Sequence, residues 1–149
     1  MTTQLHDTGE EFIIRYLHTE DISKPAGIEV TLFNDGTDGL TDQDDVTGIS
    51  TEPSGSGFTR ADASFGTTDF TAEDNSSDNW QAVIVDQTFD TSDSSQTVDA
   101  YAVIINFVSN DKSDSSASNH LYFTGDLDQS YDLSGIDQFT LSGAGIAIT

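Results

Sequence analysis

The sequence predicts an all-β fold: an antiparallel β-sandwich, jelly-roll-like, with one short N-terminal helix. Three observations predict it. Short runs of alternating apolar and polar residues recur along the chain, separated by stretches rich in Gly, Asp, Ser and Thr. One run, residues 98–108, is apolar almost throughout and β-branched, as a central strand covered on both faces would be. Helical periodicity occurs once, near the N-terminus. The 149 residues suit one domain spanning 1–149. A domain of this size buries roughly 70% of its unfolded surface, so a core can hold without disulfides. The lack of cysteine therefore says nothing decisive about compartment.

Taken in order, residues 1–8 read as a loose arm. Thr8 followed three positions later by Glu11 fits a capping box. Phe12, Ile13, Tyr16 and Leu17 then share one helical face, which predicts a helix over residues 9–18. Pro25 and Gly27 stop any continuation. The sandwich is expected over residues 28–149. Residues 28–33 alternate as a strand, residues 34–45 form a Gly/Asp/Thr loop, and residues 46–51 are a plausible second strand. Pro53 to Gly57 is a turn, and residues 58–65 alternate again. A short strand is expected at 69–71, then strands at 80–85 and 87–89, with a turn-rich break at 90–95. Residues 98–108 follow as the central strand, and residues 110–119 as a mobile Ser/Asp loop. Strands at 120–124, 138–141 and 146–149 close the chain, and nothing repeats at a fixed period.

The charge is lopsided. Asp and Glu total 27 against four Lys and Arg (Arg15, Lys24, Arg60 and Lys112), for a net −23. Nine Phe, four Tyr and one Trp argue against disorder. At ordinary ionic strength these carboxylates repel one another. At molar salt the Debye length falls to ~3 Å and the repulsion is screened. Depleted Lys with abundant Asp, Ser and Thr is the composition of a protein from salt-saturated surroundings. Nucleic acid and anionic membrane both require a basic patch, so neither is an expected partner. No apolar run approaches a membrane span, and Met1 to Gln4 shows no leader-type charge and apolar pattern.

No residue constellation points to catalysis, and an enzyme is not expected. His6, His18 and His120 lack metal-ligand spacing and read as structural or solvated. Gly55-Ser56-Gly57 lacks the spacing of a nucleophile elbow, and neither Lys follows a Gly-rich run. No cofactor is expected beyond a structural divalent cation or salt ions. If a cation is held, the candidates are Asp35, Asp38, Asp42, Asp44 and Asp45, which crowd one loop without the order of a calcium loop. Asp90 with Asp93 is a weaker pair, and Asn75-Ser76-Ser77 is a lone sequon of a kind that arises by chance. Arg60, inside an alternating run, either pairs with carboxylates on a neighbouring strand or subunit or stands as a single surface charge. The stripe Phe12, Ile13, Tyr16 and Leu17 either caps its own sandwich or packs on a sister subunit. Trp80, in an apolar run, reads as a core residue.

The C-terminal run His120-Leu121-Tyr122-Phe123-Thr124-Gly125-Asp126-Leu127, then Tyr131-Asp132-Leu133, Asp137-Gln138-Phe139-Thr140-Leu141 and Gly145-Ile146-Ala147-Ile148-Thr149 resembles the ending of small β-sandwich virion proteins of tailed phages. Residues 25–33 resemble the first strand of that family behind its N-terminal helix, and Gly57-Phe58-Thr59-Arg60 resembles its "gly-tyr-ala-arg". The order of these motifs over residues 9–149 carries the resemblance. The Ser/Asp inserts at 72–79 and 110–119 depart from it. Members decorate capsids, form head appendages or resemble tail fibres. The resemblance thus implies a non-enzymatic virion protein of a tailed virus; the composition adds only the salt, and the two together imply a tailed virus of haloarchaea. Its expected place is the virion, as a capsid decoration or turret component. Its expected partners are itself, most simply as a trimer, and the major capsid protein. A tail or baseplate component is the first alternative. An extracellular carbohydrate- or calcium-binding sandwich of a halophile is the alternative from another class.

Overall fold

A computed structural model describes residues 3–19, 25, 27–74, 80–105 and 120–148. The fold is all-β, antiparallel and sandwich-like, with one short N-terminal helix. Among the described residues, ten strands form three sheets. The largest has the order β1-β8-β7-β2-β3, from Thr3–Leu5, His120–Asp132, Thr97–Ile105, Ile28–Phe33 and Ala61–Ala63. The second, β10-β5-β4, joins Gly145–Ile148, Trp80–Ile84 and Phe70–Asp74. The third pairs β6 (Gln87–Asp90) with β9 (Gln138–Leu141). One face of the large sheet meets the two smaller ones over Val30, Leu32, Tyr101, Val103 and Phe123, joined by Ile84, Phe89 and Phe139.

The central strand β7 is buried on both faces, as its β-branched composition requires. Tyr101, Val103 and Ile105 point into the main core, while Ala100, Ala102 and Ile104 point to a second cluster on the opposite face. Alternation alone would send Val98 to that second cluster. A register shift between Val98 and Ala100 returns it to the main core, as a β-bulge does. A second shift lies opposite Tyr122 on β8. Leu121 therefore faces the second cluster, while Tyr122 and Phe123 both turn to the main core. Gly125 is obligatory beside them, because a Cβ there would overlap the Tyr101 ring and hydroxyl.

Several boundaries differ from the sequence expectation. Residues 3–8 are not a loose arm. Thr3–Leu5 pairs with β8, and helix α1 begins at Asp7 and runs to Ile14 before a π-helical turn over Arg15–Thr19. Thr8 is not the N-cap. His6 holds that position, and the Thr8 hydroxyl instead donates to the Leu121 carbonyl at 2.5 Å. A single-turn helix α2 (Asp35–Asp38) sits in the predicted loop. Residues 46–51 are not a strand: Val46–Gly48 is a 3₁₀ turn, and Val46 with Ile49 packs on the second cluster. Only Ala61–Ala63 of the 58–65 run pairs, whereas β8 extends to Asp132. The expected loop at 110–119 lies outside the described residues, as do residues 75–79 of the first insert. No helix among the described residues is long and apolar enough to cross a membrane.

Candidate functional site

The Asp-rich loop covers the outer face of the large sheet, over Phe33, Ala102 and Ile104. Four of its five carboxylates, those of Asp35, Asp38, Asp44 and Asp45, are spent on local turns. Asp35 Oδ1 accepts the Leu40 N–H at 2.9 Å. Asp38 accepts the hydroxyls of Ser50 at 2.6 Å and Thr51 at 2.7 Å, and both N–H groups besides. Partial burial pushes Asp38 upward, but these donors outweigh it and hold the carboxyl below the usual range. Asp44 accepts the Thr41 N–H at 2.7 Å and its hydroxyl at 2.8 Å, which lowers its pKa. Asp45 accepts the Thr47 N–H at 2.7 Å, and the Asp42 carbonyl accepts the Asp7 N–H at 2.8 Å. Asp99 on β7 accepts the Asp35 N–H at 2.6 Å and the Gly36 N–H at 3.2 Å, tying the loop to the sheet. Among the described residues, no three His, Asp or Glu side chains converge as a metal group.

Arg60 is fully engaged within the chain. Its Nε donates to Glu52 Oε1 at 2.8 Å and its Nη2 to Glu52 Oε2 at 2.9 Å, while Nη1 reaches Glu29 on the neighbouring strand β2 at 3.3 Å. Thr31 donates to the same Glu52 at 2.5 Å. Burial opposes ionisation of Glu52, yet Arg60 and Thr31 together hold its pKa below the ordinary value. The hydrogen bonds to Glu52, with a smaller part from Glu29, raise that of Arg60 against the effect of burial. This cluster locks the 49–60 segment to β2, and it leaves Arg60 little to offer a second subunit.

The histidines separate by burial. His18 is exposed, whereas His120 is buried at the start of β8. His6 is fully buried between β1 and α1, with Nε2 3.0 Å from the Thr124 hydroxyl and Nδ1 without a hydrogen-bond partner. Burial pushes its pKa down, against the opposing pull of Asp44, Asp42 and Asp35.

The N-terminal stripe divides. Phe12 is buried and stacks on Phe65 at 5.9 Å and edge-on against Tyr122 at 5.8 Å. Gly9 permits this approach, since a Cβ there would overlap the Tyr122 carbonyl. Ile13 packs at the margin of the core, while Tyr16 and Leu17 are exposed. Beside Ile13 opens a cleft of about 400 Å³ between α1, β1 and the β10-β5-β4 sheet, lined by Leu5, Ile13, Trp80, Tyr122 and Ile146 among others.

Trp80 is not a core residue. It is 64% exposed. Alternation puts it on the same face of β5 as Ile84, which is buried. Four residues at ~3.3 Å each carry it some 13 Å further along, beyond the reach of the core. The polar residues 75–79 immediately before it were the sequence signal that burial ends there. No protein-family model matches the chain, and searches of curated proteins and of solved structures return no match.

Proposed function

We propose that this chain is a virion structural protein of a haloarchaeal tailed virus, a capsid decoration or turret component that works by surface contact. It acts as a homo-oligomer, with a trimer favoured, seated on the major capsid protein. One structural observation carries the contact role: large apolar side chains stand exposed on α1 and its π-turn, on a chain whose net charge is −23. The motif order supports the virion assignment. Of the segments that resemble phage virion proteins, those at residues 25–33, 120–127, 137–141 and 145–149 overlap strands β2, β8, β9 and β10, whereas Gly57-Phe58-Thr59-Arg60 lies ahead of β3, outside any strand. The deciding experiment is location. Immunogold labelling of purified particles is expected to decorate the capsid. Label on the tail would favour the tail or baseplate alternative, and absence from the particle would overturn the proposal.

A second reading has its own observation. An exposed Trp80 beside a cleft is what a carbohydrate-binding sandwich presents. The Asp-rich loop gives calcium binding no comparable support, because the carboxylates of Asp35, Asp38, Asp44 and Asp45 are taken up by local donors.

A further inference from the structure

We propose that the cleft between α1 and the β10-β5-β4 sheet is the self-association site, and that it receives Leu17 and Ile14 of a second copy of this chain. This inference rests on the homo-oligomeric reading above and assigns its contact surface. The cleft is apolar, with a volume of about 400 Å³. None of its ten lining residues is acidic, in a chain with 27 Asp and Glu. Among the described residues five large apolar side chains are exposed; one of them lines this cleft, and three more follow its lining residue Ile13 along α1 and its π-turn. They are Ile14 (56%), Tyr16 (37%) and Leu17 (63%) on α1 and its π-turn, and Trp80 (64%) on β5.

Charge selects the occupant. A basic partner would be held by carboxylates, and the cleft supplies none. A second copy carries the same −23 and can approach closely only where carboxylates are missing. It also brings the matching shape. Ile13 lines the recess, and Leu17, exposed and outside that lining, follows four residues on in the π-turn. Each copy thus offers a recess and a knob side by side, the arrangement from which closed symmetric contacts are built. Molar salt removes the repulsion that opposes the encounter, since the Debye length there is only ~3 Å.

The test is sedimentation at about 3 M KCl, well inside that screened regime. Emission is followed in parallel, because Trp80 is the only tryptophan and reports from the cleft itself. Wild type should associate, with an emission blue shift that grows with protein concentration at fixed salt. Leu17→Glu and Ala147→Glu, at exposed positions on knob and cleft, should weaken association about tenfold or more while melting like wild type. Val85→Glu adds the same charge at an exposed residue outside the cleft lining and should associate normally. If both cleft variants assemble like wild type, the cleft is not the contact, and the homo-oligomeric reading stands without it. A monomeric wild type overturns both. Saturable quenching of Trp80 by a neutral oligosaccharide, undiminished in Leu17→Glu, would give the cleft to a sugar and overturn this assignment alone.

Discussion

Four cations face 27 acids; the two among the described residues, Arg15 and Arg60, both pair with carboxylates, and burial decides what each contact contributes. Arg15 donates to Glu11 at 2.9 Å across one helical turn, with Glu11 well exposed. Pairs of that kind are worth about 0.3–0.5 kcal/mol and fade with salt. Arg60 differs. Its fork is bidentate on Glu52, both partners are about three-quarters covered, and Thr31 completes the carboxylate's shell. A double-mutant cycle of Arg60→Ala with Glu52→Ala should give a coupling of about 1–2 kcal/mol, from charge-assisted geometry that salt screens poorly. The Arg15→Ala and Glu11→Ala cycle should fall to zero at molar KCl. Couplings that decay equally with salt would place Arg60 among ordinary surface pairs. The Arg60–Glu29 half of this cluster meets the expectation of a carboxylate on a neighbouring strand, although Arg60 itself precedes β3 and Glu29 stands in register with Asp62. The Glu52 half was not readable, because a loop's return path is set by tertiary packing.

At the scale of elements, β2 and β7 were legible end to end within the described residues. Their existence followed from the alternation or the continuous apolar run, but not every burial did: Thr31 on β2 is fully buried, and Val98 on β7 turns to the main core. Residues 46–51 misled because Val46 and Ile49, three apart, suit a 3₁₀ turn laid over an apolar sheet face as well as a strand. The N-terminus misled because a three-residue strand leaves too little alternation to see. His6, buried against Thr124, sits at the joint between that strand and α1. Burial holds its folded pKa below the unfolded value of about 6.5, so the unfolded chain binds the extra proton. Stability from a neutral His6 is fully present above about pH 6.5 and declines as pH falls below it, by at most about 1.4 kcal/mol per pH unit. Asp44, Asp42 and Asp35 face the ring and moderate the shift without reversing it. Melts between pH 7.5 and 5.5 at constant salt, bracketing the histidine pKa of about 6.5, should show this fall in wild type and a flatter profile in His6→Gln. Matching profiles would mean that His6 does not couple protonation to folding. Asp38 and Glu52, whose folded pKa values are also depressed, give up their contribution in a separate and more acidic window.

For the whole molecule, the same sandwich must survive a net charge of −23. The core is conventional: Val30, Leu32, Tyr101, Val103, Ile105 and Phe123 are all buried completely. The burden is electrostatic and lies outside that core, on loops whose carboxylates cap local turns and still repel one another across the surface. Screening changes that burden steeply between about 0.1 M, where charges interact over ~10 Å, and 1 M, where they interact over ~3 Å. The melting temperature should therefore rise strongly from 0.1 M toward several molar KCl, and most of the rise should come before the Debye length falls below the spacing of neighbouring charges. Ile104→Asp separates core from charge. It would bury an unpaired carboxylate in the second cluster, at a cost of several kcal/mol against a total stability of roughly 5–15 kcal/mol, and salt cannot repair it. Thr71→Asp adds the same charge on an exposed strand position and should melt below wild type at low salt but alongside it at high salt. A melting temperature indifferent to salt would remove the halophilic reading, and with it the reason to expect self-association only in concentrated brine.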